Sequence, residues 1–480
     1  MAIEMKIFLP TLLAASLALA GCSTLAPAHQ RPAAPVAQQW PVPAGDAAAT
    51  KRAAELGWRE FFTDPQLQAL IELSLQNNRD LRVGMLNVER ARAQYGVQRA
   101  DQLPSVNAGL GQSAQRLPAP LSGGEQPGIA RQYSATLGIS AYELDLFGRV
   151  RSLTDAALSS YLATEDAQRG ARISLIAQLA GSWLTLAADQ ERLALTEQTL
   201  LSRQDSLRLS QRLQAAGVAS TLDLRQAEIA VESAQADLAR LTGQVAADRH
   251  ALELLVGQPL AADQWPRQDT TVAATLQAEL PAGLPAEVLL ARPDVQQAER
   301  RLQATEANIS AARAAFFPRI TLTASAGGAS ADLDGLFRGG HGFWSFVPQL
   351  TLPIFDAGRN RANLKVAEVD RDIAVAQYEK AIQSGFREVA DALADRTTMA
   401  QQLQAQQRLV ERSTDALQLA EARFRAGVDD RLATLDAQRS LYAAQQGLIS
   451  VRLARQVNRV TLYKALGGGV LEQSPRQSAS

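Results

Sequence analysis

Tyr133-Ser134-Ala135-Thr136-Leu137-Gly138-Ile139-Ser140-Ala141 alternates apolar or aromatic residues with small ones, and the 69 residues from Gly148 to Ala216 that follow contain no proline. A period of two describes a strand with one apolar face. The proline-free run that follows, residues 148–216, describes a helix about 100 Å long at 1.5 Å per residue. This junction of a short amphipathic strand and a very long helix decides the fold, and the chain writes it twice. Gly148-Arg149 recurs as Gly358-Arg359, Ala216-Gly217-Val218 as Ala426-Gly427-Val428, Ala227-Glu228 as Ala437-Gln438, and Gly257 as Gly467, all at an offset of 210. Upstream the register slips, and Leu103-Pro104 pairs with Phe317-Pro318 at 214. The chain reads as a tandem duplication, the first feature to establish in any sequence.

Each copy has the order helix, two strands, very long helix, turn, helix. The second long run, residues 358–426, also lacks proline. Leu179, Leu186, Leu193, Leu200 and Leu207 form a seam in the first, and Leu403, Val410, Leu417 and Phe424 form its counterpart. Spacing of seven is coiled-coil spacing, and 210 residues are thirty heptads, so the duplication preserves the seam. The helical stretches at 65–103 and 220–256 are each a little over half as long, and end to end they match one long rod. The expected divisions are a signal segment (1–21), an N-terminal lipid-anchored segment (22–64), a first repeat (65–257), a proline-rich connector (258–285), a second repeat (286–467) and a tail (468–480).

Four strand-like runs accompany the helices. Residues 320–327 repeat the alternation of 133–141; Val106, Ala108 and Leu110 form a weaker version, and Phe346, Leu350, Leu352 and Ile354 complete a fourth. A soluble sandwich shows such alternation too. Here the off-face residues are serine, threonine, glycine and glutamine, as a water-filled lumen requires, and the runs suit the ~9–11 residues of a tilted transmembrane strand. Phe147, Phe316, Phe317 and Phe355 stand at one rim and Tyr133, Phe343 and Trp344 toward the other, the levels of an aromatic girdle. Four strands cannot close a barrel, and lipid does not tolerate open edges. Several chains must share one wall; two would give an eight-stranded barrel filled by its own side chains, so three is the minimum for bulky cargo.

Composition narrows the function classes. Forty-eight Lys and Arg against forty-nine Asp and Glu give a net charge of −1, which argues against a nucleic-acid partner. One cysteine and three dispersed histidines exclude a disulfide framework and a thiolate metal cage. With only four methionines, nothing suggests a dedicated metal-ion exporter. No phosphate-cradling loop, dinucleotide fingerprint or H-E-x-x-H occurs, so neither catalysis nor a cofactor is expected. Residues 6–22 have a charged start, a short apolar run and small residues, the grammar of a secretory signal rather than a spanning helix. The run closes on Leu19-Ala20-Gly21-Cys22, which resembles the bacterial lipoprotein box; Cys22 would receive the lipid, and Ser23 after it fits sorting to the outer membrane.

Further motifs bring a family into view: Trp58-Arg59-Glu60-Phe61-Phe62-Thr63-Asp64-Pro65-Gln66-Leu67, Asn77-Asn78-Arg79-Asp80-Leu81, Leu284-Pro285, Ala291-Arg292-Pro293-Asp294-Val295, Ala298-Glu299 and Ala312-Arg313-Ala314-Ala315-Phe316-Phe317-Pro318. With the duplication and the lipobox, these resemble the TolC-like outer-membrane channels of tripartite efflux systems, most closely their lipoprotein branch. The resemblance implies a mainly α fold with a β-barrel portion. A homotrimer would form a twelve-stranded barrel in the outer membrane above a periplasmic α-barrel of coiled-coil hairpins. It implies two partners, a periplasmic adaptor and an inner-membrane pump of the RND type, and passive passage of substrate with no reaction catalysed.

On the residues alone, the turns at Gly217 and Gly427 are helix stops, and the charged stretch around the second is a solvated hairpin. The resemblance adds roles. Gly217-Val218 and Gly427-Val428 become adaptor-docking tips. Leu432 and Asp436, four apart and so on one helical face, become a periplasmic gate. Arg423, Arg425 and Arg431 would hold the closed tip through salt bridges. The first tip has Leu222 opposite Leu432 but Gln226 opposite Asp436, which assigns the gate to the second copy. A periplasmic adaptor lipoprotein and a structural envelope coiled coil are the competing readings; the first predicts one hairpin with soluble β modules, the second no amphipathic strands.

Overall fold

The computed structural model describes residues 29–41, 56–118, 128–266, 276 and 286–468. The expected signal segment with Cys22, most of the connector and the tail lie outside them. In chain order the elements are α1 (Pro65–Asn77), α2 (Arg79–Ala100), β1 (Val106–Leu117), β2 (Gly128–Leu144), α3 (Arg149–Ala215), α4 (Thr221–Val256), α5 (Pro293–Ala314), β3 (Arg319–Ser330), β4 (Gly342–Thr351), α6 (Arg359–Arg425) and α7 (Arg431–Ala465). Both long helices, α3 and α6, are 67 residues, and each copy follows the same order. The three glycine pairs that marked the repeat, 148/358, 217/427 and 257/467, all adopt positive φ. The duplication is therefore one of backbone conformation as well as of residue type.

Two expectations need correction. The stretch 65–103 is two helices, because Asn78 leaves the helical region at ψ 129° and its side-chain oxygen caps the next helix at Leu81 N, 2.9 Å. The fourth strand is Gly342–Thr351, not a run reaching Ile354. The apolar alternation continues to Leu352 and Ile354, but Pro353 between them has no N–H for a ladder, and Ile354 and Phe355 are almost fully exposed.

The chain forms two compact units, each drawn from both repeats. One comprises residues 29–33, Asn87–Glu165 and Gln297–Glu379 and holds the single sheet. Its four antiparallel strands lie in the order β1-β2-β3-β4, with Val106 opposite Ile139, Leu137 opposite Ala326, and Ala324 opposite Phe346. Its outer strands, β1 and β4, each leave one edge unpaired among the described residues.

The other unit comprises Ala34–Leu86, Asp166–Gln296 and the chain from Lys380. Its core joins Trp58, Phe61 and Phe62 to Leu179, Trp183 and Leu186 of α3 and Tyr463 of α7, all buried. Phe61 stacks on Tyr463 with centroids 4.1 Å apart, and the Tyr463 hydroxyl donates to Leu56 O at 3.0 Å. Burying such side chains contributes about 1.5–3 kcal/mol each. One described helix, α3, is long and apolar enough to cross a membrane, and half of its most apolar window is buried inside the protein. The expected seams run from this core toward the helix ends: Leu179 and Leu186 are buried, and Leu193, Leu200 and Leu207 half-buried.

Candidate functional site

The sheet separates two chemistries. Cross-strand partners share a face, so the rows Val106–Ile139–Ala324–Phe346 and Ala108–Leu137–Ala326–Trp344 make one face apolar. Leu110 and Trp344 on it are 82% and 78% exposed. The rows Asn107–Gly138–Ser325–Ser345 and Gly109–Thr136–Gly327–Phe343 make the other face small and mostly polar, with a Ser325–Ser345 hydroxyl pair at 2.8 Å. From Leu144 to Tyr133 the apolar face of β2 measures about 34 Å along the strand. A ~45° tilt reduces that to about 24 Å, against an apolar band of ~25 Å in an outer-membrane barrel.

One residue keeps the faces in phase. Between Ile139 and Tyr142 β2 contains an extra residue relative to β3, and Ala141 there takes φ 51° while its N–H donates to Thr323 Oγ1 at 3.1 Å. A bulge shifts the period-two alternation by one. Tyr142 and Leu144 thereby stay with the apolar rows, opposite Leu322 and Ile320, and Glu143 falls on the polar face. There Glu143 is nearly buried, with Arg149 bound to both its oxygens at 2.8 and 2.7 Å and Arg319 at 2.5 Å. Phe147 and Phe317, expected at one rim, stack at 4.7 Å just beyond this end of the sheet.

The helix tips carry the residues expected to gate and dock. At the first, Gly217 has φ 76°; Val218 N donates to Leu213 O and Gly217 N to Gln214 O, both at 2.9 Å. At the second, Gly427 has φ 70°, and Val428 N and Gly427 N donate to Arg423 O and Phe424 O, both at 3.0 Å. Both are Schellman ends, in which glycine supplies the left-handed residue that L side chains avoid. Val218 and Val428 follow at 75% and 62% exposure. The returning helices start on different caps. Ser220 and Asp223 form a reciprocal capping box, whereas Asp430 alone accepts from Ala433 N at 3.3 Å.

Leu432 and Asp436 both lie on the exposed face of α7, and Asp436 pairs with Arg439 at 3.0 Å. Of the three arginines expected to hold the tip, Arg423 grips Asp429 across the turn at 2.5 and 2.8 Å. Those hydrogen bonds and the guanidinium charge hold the Asp429 carboxyl below the usual range. Arg425 instead donates to Glu421 O at 3.3 Å. Arg431 lies over the Phe424 ring at 5.1 Å with its Nε unpartnered, and burial lowers its affinity for a proton. Neither Arg425 nor Arg431 has a carboxylate within 4 Å among the described residues. Sequence reading missed Asp429, Phe424 and the Glu143 cluster as partners; the Ser220-x-x-Asp223 cap was legible as a helix-start signature. Among the described residues no group of three or more His, Cys, Asp or Glu is placed to hold a metal ion.

The family model for outer membrane efflux proteins matches residues 70–258 and 284–468. The chain is 52% identical over 459 residues to the toluene efflux pump outer membrane protein TtgC of Pseudomonas putida, covering 95% of this chain and 94% of that one. It is 48% identical over 456 residues to the outer membrane protein OprJ of Pseudomonas aeruginosa, covering 95% and 94%. The open-state crystal structure of the MtrE outer membrane channel of Neisseria gonorrhoeae matches with a TM-score of 0.85 at 39% identity, covering 93% of this chain and 99% of that one.

Proposed function

The chain belongs to the outer membrane efflux protein family and forms an efflux channel of the outer membrane, and from that premise we propose that three copies build one duct. Each contributes the sheet β1–β4 to a twelve-stranded barrel and the hairpins α3–α4 and α6–α7 to a periplasmic tube. The single observation that carries this reading is the sheet itself: four strands, two unpaired edges, an apolar face of membrane height and a polar face opposite. Lipid does not accept the open edges, and joining edges between chains satisfies them while turning the polar face to a lumen. The lipid anchor at Cys22 holds the assembly to the membrane without spanning it.

In this reading the channel catalyses nothing. A periplasmic adaptor docks at Gly217-Val218 and Gly427-Val428, where the most exposed apolar side chains of the turns stand beside rigid Schellman ends. An inner-membrane pump of the RND type supplies the energy. The name of the toluene-efflux relative supports small apolar or amphiphilic cargo. Leu432 and Asp436 form the closed gate, three copies of each ringing the axis. Three carboxylates there repel one another, and their field concentrates cations. Arg423 and Asp429 brace the turn that carries the gate.

The mass of the detergent-solubilised particle and its conductance in planar bilayers test the proposal together. We expect a particle of three chains with discrete channel steps. A monodisperse single-chain or two-chain particle that conducts would refute the shared barrel.

A further inference from the structure

The apolar face of the sheet does not end in uncharged residues. Along β2 it runs Leu144, Tyr142, Ile139, Leu137, Ala135 and Tyr133, and its next member is Arg131. Ala114 of β1 faces Arg131, and the next residue of that face on β1 is Arg116, opposite Ile129. Arg116 and Arg131 are thus diagonal neighbours on one surface, about 7–8 Å apart at the backbone. Both are exposed. Neither has a carboxylate within 4 Å among the described residues. The ten residues that connect the two strands contain one carboxylate, Glu125, against these two guanidiniums. At the same end of the sheet Arg338, by contrast, is neutralised by Asp334 at 2.8 Å.

Position makes the pair informative. Tyr133 closes the apolar band, with its hydroxyl 3.4 Å from Gln112 on the same face, and Arg131 and Arg116 stand one and two rows beyond it. Those rows lie at the hairpin end, the end opposite the long helices, and their side chains project outward rather than into a lumen. Two guanidiniums held side by side repel each other unless an anion lies between them. Guanidinium forks match phosphate oxygens bidentately, and at the level just outside the hydrocarbon the available anions are headgroup phosphates.

We propose that Arg116 and Arg131, with Tyr133 and Gln112 beneath them, form an outward-facing seat for the phosphate of a glycolipid headgroup in the outer leaflet, one seat per chain. The inference rests on the sheet spanning the outer membrane with its hairpins outward. Each seat would fix the barrel against the leaflet around it and orient it about its own axis.

The purified full-length channel in detergent is titrated with a short-chain phosphorylated glucosamine disaccharide lipid, its dephosphorylated counterpart and inorganic phosphate. The parent should bind the phosphorylated lipid best. The Arg116→Gln/Arg131→Gln double variant should bind it about tenfold or more weakly, and Arg131→Lys should fall between, because it keeps charge but loses the fork. Every preparation is also weighed and tested for conductance, so a failure of the channel reading appears in the parent, apart from any failure of the seat. Equal affinity of parent and conducting double variant for the phosphorylated lipid would overturn the proposal. Displacement of the lipid by inorganic phosphate at matched concentration would overturn it too, by assigning the arginines to a free anion.

Discussion

At the residue scale, the second tip shows how far spacing alone reaches. Leu432 and Asp436 share a face because helices repeat every 3.6 residues, and that was legible. The partner of Arg423 was not, because Asp429 is six residues away across a turn whose path depends on one left-handed glycine. The position of Arg431 over Phe424 was equally hidden: a charge run suggests ion pairs, and whether an arginine prefers a ring depends on burial. We expect Asp436→Asn to reduce the cation preference of the channel, and Leu432→Ala to raise its closed-state conductance severalfold; planar-bilayer recordings check both, and unchanged traces would remove the gate from these residues. A second prediction concerns Asp248. Burial and the neighbouring Asp189 carboxylate push its carboxyl up to about 6, opposed by the Gln244 amide, and its Oδ2 is buried without a partner. The folded chain therefore binds this proton more tightly than the unfolded one. Its contribution is fully present below the ordinary carboxylate value near 3.8 and is lost as pH rises through about 6. Asp248→Asn should then melt at or above the parent temperature at about pH 7.5, with the gap narrowing by about pH 5. A gap independent of pH in thermal melts would show that this carboxyl does not titrate as stated.

At the element scale, the long helices were legible because their signals are strong and local: no proline over 69 residues, and a glycine at each end. The break at Asn78 was not, since asparagine is tolerated inside helices and only its cap to Leu81 shows that it ends one. The strands were found by period two, yet the bulge at Ala141 escaped, because alanine carries no mark of a positive φ. That bulge decides which face Glu143 occupies. Ala141→Val keeps the length of β2 but disfavours the positive φ of the bulge, so it should return β2 to strict alternation, moving Glu143 to the lipid face and Tyr142 to the lumen. An ionised carboxylate there costs less than the ~2–4 kcal/mol of a lysine or arginine at the midplane, and less again toward the interface. We expect the valine variant to accumulate outside the outer-membrane fraction, while Ala141→Gly, which keeps the bulge, inserts like the parent. Membrane fractionation of the two separates a register effect from a general loss of folding.

At the scale of the whole molecule, the sequence implied a shared barrel from the strand count, but it could not locate the core of the second unit. The aromatic residues that make this core lie at 58–62, 183 and 463, too far apart for any periodicity to join them. What holds the chain to the membrane can be separated by experiment. A protein held only by its lipid should become extractable without detergent when Cys22→Ser removes the attachment point. A channel with an apolar sheet face should still require detergent, and we expect that result in high-salt and carbonate extraction. The left-handed glycines at 217 and 427 also carry a mark of inheritance. Had the unit stayed a single gene and assembled as a hexamer, every change at one tip would have appeared at all six. Fusion of the two copies freed them to drift separately, and the backbone at 217 and 427 stayed in step while Gln226 and Asp436 parted. A ring of three such chains has only threefold symmetry, so a six-membered partner must offer identical subunits to two different tips, or be itself built in alternating pairs.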